Sequence, residues 1–139
     1  MAIVEMDFAR GGGNELTPTT LWTNSNPSTL ISSAITVDLS QGVDDFDYIG
    51  VEYNFSTSDS VNVYEVMMSK SIFTKCIQGS SAKACTMALA VLDSSDSLCQ
   101  RAVYYVSNTK VKIAGNCYYV GTTSKDNNKV IPTRIIGYK

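Results

Sequence analysis

The sequence predicts an all-β protein: one antiparallel β-sandwich of jelly-roll-like topology behind a short N-terminal arm. Two observations carry that prediction. Beyond Asn14, apolar and polar residues alternate with a period of two along most of the chain, the spacing that sends one face of a strand into a core and the other to solvent. Short clusters of Ser, Asn, Asp, Gln and Gly separate the alternating segments, and these are the residues that make turns. Strands at such intervals, joined by short polar turns, indicate a sandwich or a jelly-roll. At 139 residues the chain has the length of one domain and can bury a core unaided.

The elements follow in order. In residues 1–14, Val4, Met6 and Phe8 alternate with Glu5 and Asp7, and Gly11, Gly12 and Gly13 then interrupt the pattern. Three glycines favour no regular structure. The segment therefore reads as an attachment arm on a glycine hinge, with the sandwich over residues 15–139; the alternative is a first strand of the sandwich. Ile35, Val37 and Leu39 alternate with Thr36 and Asp38, and Ile49, Val51, Tyr53 and Phe55 with Gly50, Glu52 and Asn54. Val61 and Val63 form a shorter pair, as do Val111 and Ile113. Residues 103–106, 117–120 and 130–136 are β-branched and aromatic runs. Asp44, Asp45 and Phe46 predict a turn or a single helical turn before the strand at Tyr48. Residues 82–92 are the ambiguous stretch. Ala, Leu and Met there favour a helix, whereas strands on both sides favour another strand, which is the preferred reading.

Composition narrows the function. Charged residues make up 17% of the chain and its net charge is −2, with no local concentration of Lys or Arg. Nucleic-acid binding needs a basic face and is not expected. No run approaches the ~20 apolar residues of a membrane span, and the first residues lack the marks of a signal peptide. Histidine is absent. That removes the usual general base, the Ser–His and Cys–His dyads and the commonest transition-metal ligand, so the chain is not expected to be an enzyme or to carry a cofactor.

The remaining candidates for chemistry are few. Cys76, Cys85, Cys99 and Cys117 show no C-x-x-C spacing, which disfavours zinc. They read as buried thiols in a protein made in a reducing cytoplasm, the alternative being a disulfide formed later. Asp44, Asp45 and Asp47 resemble part of a calcium loop, but Ser56 stands where an EF-hand needs its final Glu. Asn54-Phe55-Ser56 is a chance glycosylation sequon. Tyr104-Tyr105 and Tyr118-Tyr119 each put one aromatic on either face of a strand; inward rings belong to the core, and outward rings can stack on sugars or on a partner. Trp22 reads as a core anchor.

Four phrases go further than any single residue. They are Leu21-Trp22-Thr23-Asn24-Ser25-Asn26-Pro27, Ala34-Ile35-Thr36-Val37-Asp38-Leu39, Phe46-Asp47-Tyr48-Ile49-Gly50-Val51-Glu52-Tyr53 and the closing Val130-Ile131-Pro132-Thr133-Arg134-Ile135-Ile136-Gly137-Tyr138-Lys139. In order and spacing, over residues 16–139, they resemble a small β-rich module of virion surface proteins of tailed bacteriophages, found in head fibres, tail fibres and baseplate proteins. The phrases contain no chemical motif. The resemblance implies a structural protein on the virion surface, made in the bacterial cytoplasm and without catalytic activity.

Only 15 residues precede the module at Leu16, which favours a stand-alone head fibre or capsid decoration protein over a tail fibre with a long shaft. Its arm, through Val4, Met6, Phe8 and Gly11 to Gly13, would dock on capsid or tail proteins. The resemblance further implies a homotrimer. The alternative is a tail-associated receptor-binding module that recognises a host cell-surface glycan or protein through outward tyrosines and loops such as residues 124–128.

Overall fold

The computed structural model describes residues 15–55, 63–79, 86–93, 95–122 and 128–139. Among the described residues, nine strands form two antiparallel sheets packed face to face. They are β1 (Pro18–Thr23), β2 (Ile35–Asp38), β3 (Tyr48–Phe55), β4 (Val63–Ser69), β5 (Met87–Leu92), β6 (Leu98–Ser107), β7 (Lys110–Ile113), β8 (Tyr118–Tyr119) and β9 (Val130–Tyr138). Sheet A has the order β1-β9-β3-β4, and sheet B the order β2-β7-β6-β5, with β8 also on β6. The all-β sandwich read from the alternation is the observed fold.

A jelly-roll pairs its earliest strands with its latest. Here β1 lies on β9 and β2 on β7, so the outer turns of the chain wind in that way. The middle does not. β3 and β4 stay together as a hairpin in sheet A, and β5, β6 and β7 run as a meander in sheet B. β6 is long enough to hold β5 along one edge and both β7 and β8, end to end, along the other.

The period of two decides what is buried. Ile49, Val51 and Tyr53 of β3 face Val103 of β6, Val111 and Ile113 of β7, and Met87, Leu89 and Val91 of β5 across the core. β9 lies between β1 and β3 and is buried at six of its nine positions, because a central strand is covered on more than its core face. Gly137 of β9 has a further reason to be glycine. A Cβ there would sit 2.4 Å from Cγ of Phe46, whose ring is buried against that backbone.

Several local expectations are refined. Residues 87–92 of the ambiguous stretch form strand β5. Asp44 and Asp45 lie in a 3-10 turn over Val43–Asp45, held by Asn108, whose backbone carbonyl accepts from Val43 N at 2.7 Å and whose side-chain oxygen accepts from Asp44 N at 2.8 Å. Trp22 packs half-buried against the margin of the core, and its neighbour Leu21, only 2% exposed, takes the central place. A bulge between Thr20 and Trp22 makes that exchange. A one-turn helix, α1 (Lys70–Phe73), follows β4. One turn has no readable periodicity; it delivers Phe73 to the core, edge-on to Tyr105 with ring centres 6.0 Å apart.

Cys76, Cys99 and Cys117 are fully buried, as small apolar side chains in the core. The Cys76 sulfur lies 3.6 Å from that of Met68. The arm residues Val4, Met6, Phe8, Gly11, Gly12 and Gly13, together with Val61 and Cys85, fall outside the described residues.

Candidate functional site

The tyrosine pairs divide as strand geometry requires. Tyr105 and Tyr119 turn inward and pack against the core. Tyr104 and Tyr118 turn outward on sheet B, where the register sets Tyr118 opposite Gln100, on the same face of β6 as Tyr104. Between them the sheet surface is low, because Ala88, Ala102 and Ala114 put nothing above it but a methyl group; Ala88 and Ala102 are direct cross-strand partners.

The result is a groove with two compartments that share Tyr104, Ala114, Asn116 and Tyr118. One, about 310 Å3, runs over the alanines between Thr86 and Gln100. The other, about 500 Å3, extends past Gly115 to Ser32, Ser33 and Gln78. Both volumes fall in the ~300–1,000 Å3 range of ligand sites. Every described lining residue is uncharged. The register sets Lys112 of β7 opposite Tyr104, beside the groove.

Beneath this surface lies the one buried charged side chain among the described residues, Arg101, 1% exposed. It occupies an inward position of β6 between Cys99 and Val103. Its guanidinium donates to four backbone carbonyls: Nε to Val130 at 2.6 Å, Nη1 to Ala114 at 2.5 Å, and Nη2 to Ile31 at 3.1 Å and Asn128 at 3.3 Å. Arginine suits the role because its planar fork carries five donors in fixed directions. Ile31 leads directly into Ser32 and Ser33, and Ala114 into Gly115 and Asn116, so one side chain ties down both walls of the larger compartment. Gly115 lets those walls meet. A Cβ there would stand 2.4 Å from the backbone nitrogen of Ala34.

The outer face of sheet A carries a second polar cluster. Glu52 of β3 and Glu65 of β4 are direct cross-strand partners, an arrangement that repels unless compensated. Arg134 grips Glu52 through both Nε and Nη2, at 2.7 and 2.6 Å, and the Tyr138 hydroxyl donates to Glu65. Burial first, then that hydrogen bond and the negative charge of Glu65 and Glu52, push the Tyr138 hydroxyl up to about 12, against an ordinary value of ~10.

A folded value above the unfolded one means that the contact's contribution to stability is full below pH ~10 and is lost as the pH rises through the folded value. Ultraviolet titration of tyrosinate is expected to include a late step near pH 12 that disappears in Tyr138→Phe. If the missing step instead lies near ~10, the ordinary value for tyrosine, Tyr138 faces solvent and the contact is not formed.

Other sequence candidates are not assembled into sites. Among the described residues no group of three or more Cys, Asp or Glu side chains converges to hold a metal, and Asp44, Asp45 and Asp47 are exposed. The side-chain oxygen of Asn54, the sequon residue, is buried. Of the loop at 124–128 only Asn128 is described, and it serves the fold: its side-chain oxygen accepts from Cys117 N at 3.3 Å, and its carbonyl accepts from Arg101. No described helix is long and apolar enough to cross a membrane.

Sequence reasoning found the tyrosines but missed Gln100, Asn116 and the alanine floor. The period of two could have placed Gln100 and Ala102 beside Tyr104, since all three share a parity on one strand. It could not have placed Asn116 and Tyr118 there, because that depends on β8 pairing with β6. Nor does any local signal mark Arg101, whose partners lie up to 70 residues away. No protein-family model and no curated protein sequence matches the chain.

Proposed function

We propose that the chain is a non-catalytic structural module on the surface of a tailed-bacteriophage particle, a head fibre or capsid decoration protein held by its first residues and assembled as a homotrimer. The observation that carries this reading is where the four resembling phrases fall. They overlap the second half of β1, all of β2, most of β3 and all of β9, and three of these, β1, β9 and β3, are adjacent strands of sheet A. Three of the phrases, far apart in the sequence, thus meet on neighbouring strands of one sheet. A resemblance that coincides with a folded unit is a stronger reason for kinship than the same phrases scattered over loops. The commitment of Glu52 and Glu65 to Arg134 and Tyr138 agrees with a face built for stability.

Attachment to particles tests the reading. The full chain, and a chain lacking residues 1–10, are mixed with particles that lack the protein. The full chain is expected to bind as a trimer by sedimentation, and the truncated chain to stay folded and remain in solution. Failure of the full chain to bind overturns the reading. Normal binding by the truncated chain removes the arm as anchor, and loss of its fold would make residues 1–10 a strand of the sandwich.

The second reading, a tail-associated module that recognises the host surface, is favoured by a separate observation, the groove between Tyr104 and Tyr118. Binding of the chain to host cells, without binding to particle shells, would select it.

A further inference from the structure

We propose that the groove on the outer face of sheet B binds a short neutral saccharide, held between the rings of Tyr104 and Tyr118. This deepens the host-recognition reading by naming the ligand class, and it rests on that reading.

Three features of the groove select this chemistry. A pyranose ring presents apolar C–H faces and an equator of hydroxyls. The electron-rich faces of two outward tyrosines suit the first, and side-chain amides, each with two donors and one acceptor, suit the second. Gln100 and Asn116 supply such amides on the walls, and no described residue hydrogen-bonds to either side chain. The alanine floor gives the ring room to lie flat. A bulkier residue at Ala102 would fill the place that a sugar would take.

The third feature is the absence of charge among the described lining residues. An anionic sugar or a phosphate would call for a basic side chain within the groove, and Lys112 stands only beside it. A protein partner, by contrast, needs ~800 Å2 of matched surface with an apolar centre, which a narrow groove lined by amides and hydroxyls does not offer. The two connected compartments suit a chain of sugars running from the alanine floor toward Ser32 and Ser33. Because Arg101 fixes both walls from below, the groove is set before ligand arrives, which lowers the ordering cost of binding.

The full chain is titrated with oligosaccharides built from glucose, galactose, N-acetylglucosamine or rhamnose, and with galacturonate oligomers as the charged comparison. Binding is followed by saturation-transfer NMR and calorimetry. At least one neutral series is expected to bind. Tyr104→Ala and Tyr118→Ala should each weaken it by about tenfold, the loss expected when an aromatic face is removed, without lowering the melting temperature. Tyr104→Phe keeps the ring and should bind almost as well as the parent, and Lys112→Ala should leave binding unchanged.

The proposal fails if no neutral series binds, if galacturonate binds better and loses that advantage in Lys112→Ala, or if both alanine variants bind like the parent. Labelling of bacterial cells by the fluorescent chain separates this failure from that of the underlying reading. Cells labelled equally by the parent and Tyr104→Ala, with no saccharide bound, would overturn the saccharide and leave host recognition standing. Tyrosine-dependent saccharide binding without cell labelling would do the reverse.

Discussion

Replacing Arg101 with alanine is expected to cost most of the stability of this domain. Four backbone carbonyls would lose their donor, the Val130 carbonyl in a buried place and those of Ala114, Ile31 and Asn128 in part-buried ones, and an orphaned buried acceptor carries a penalty of about 1–3 kcal/mol. The emptied volume adds to the loss. Together these losses take a large part of the ~5–15 kcal/mol that separates folded from unfolded states. The melting temperature is expected to fall by about 10 °C or more.

Arg101→Lys separates charge from geometry. It keeps the positive charge but offers three donors from one point, and the carbonyls of Ile31, Ala114, Asn128 and Val130 approach from different directions. The lysine variant should therefore fall between the parent and alanine. If chemical denaturation finds Arg101→Ala within ~1 kcal/mol of the parent, within the range of an ordinary surface substitution, the carbonyl clamp is not what holds the loops.

The second large effect is expected at Gly137. The Phe46 ring rests on the glycine's backbone, and Lys139 Nζ stands 5.1 Å from the centre of the same ring. β9 is hydrogen-bonded on both sides, to β1 and β3, so the strand cannot retreat, and the ring is 1% exposed with the core behind it. A methyl group at Gly137 must displace one or the other. Overpacking of this kind costs ~1–3 kcal/mol; the doubly bonded strand argues for the upper end with Gly137→Ala and for more with Gly137→Val.

A double-mutant cycle tests the cause. Phe46→Leu is destabilising alone, because it empties part of a core site, but it makes room for the added methyl. The pair Phe46→Leu and Gly137→Ala should be less destabilised than the sum of the single variants, by about 1 kcal/mol or more. Strict additivity would mean that the strain at Gly137 lies elsewhere than in the ring.

These two sites differ in how far the sequence announces them. Ile35 to Asp38, Tyr48 to Phe55, Lys110 to Ile113 and Val130 to Tyr138 were legible as strands because each alternates or is rich in β-branched residues. β4 was legible only at its first residue. It lies at an edge of sheet A, four of its seven positions are exposed, and its alternation is weak. β1 was hidden by its bulge, which breaks the period at Leu21. The outward tyrosines could be read from parity alone, and the groove between them could not, since its walls come from separate parts of the chain.

By itself, then, the sequence determined the all-β class, the inward and outward sides of most strands, the lack of imidazole chemistry and the burial of Cys76, Cys99 and Cys117. These are local properties, set by the two-residue period of a strand and by the side chains present. Tertiary structure alone decided that β1 lies on β9 with Arg134 within reach of Thr20 across 114 positions, that the middle strands form a hairpin and a meander, and that Arg101 gathers carbonyls from three loops beneath a groove. Alternation states which side of a strand faces inward and is silent about which strand lies beside it. That choice is made by the packing of the whole core, where each pairing is favourable only in the presence of the others.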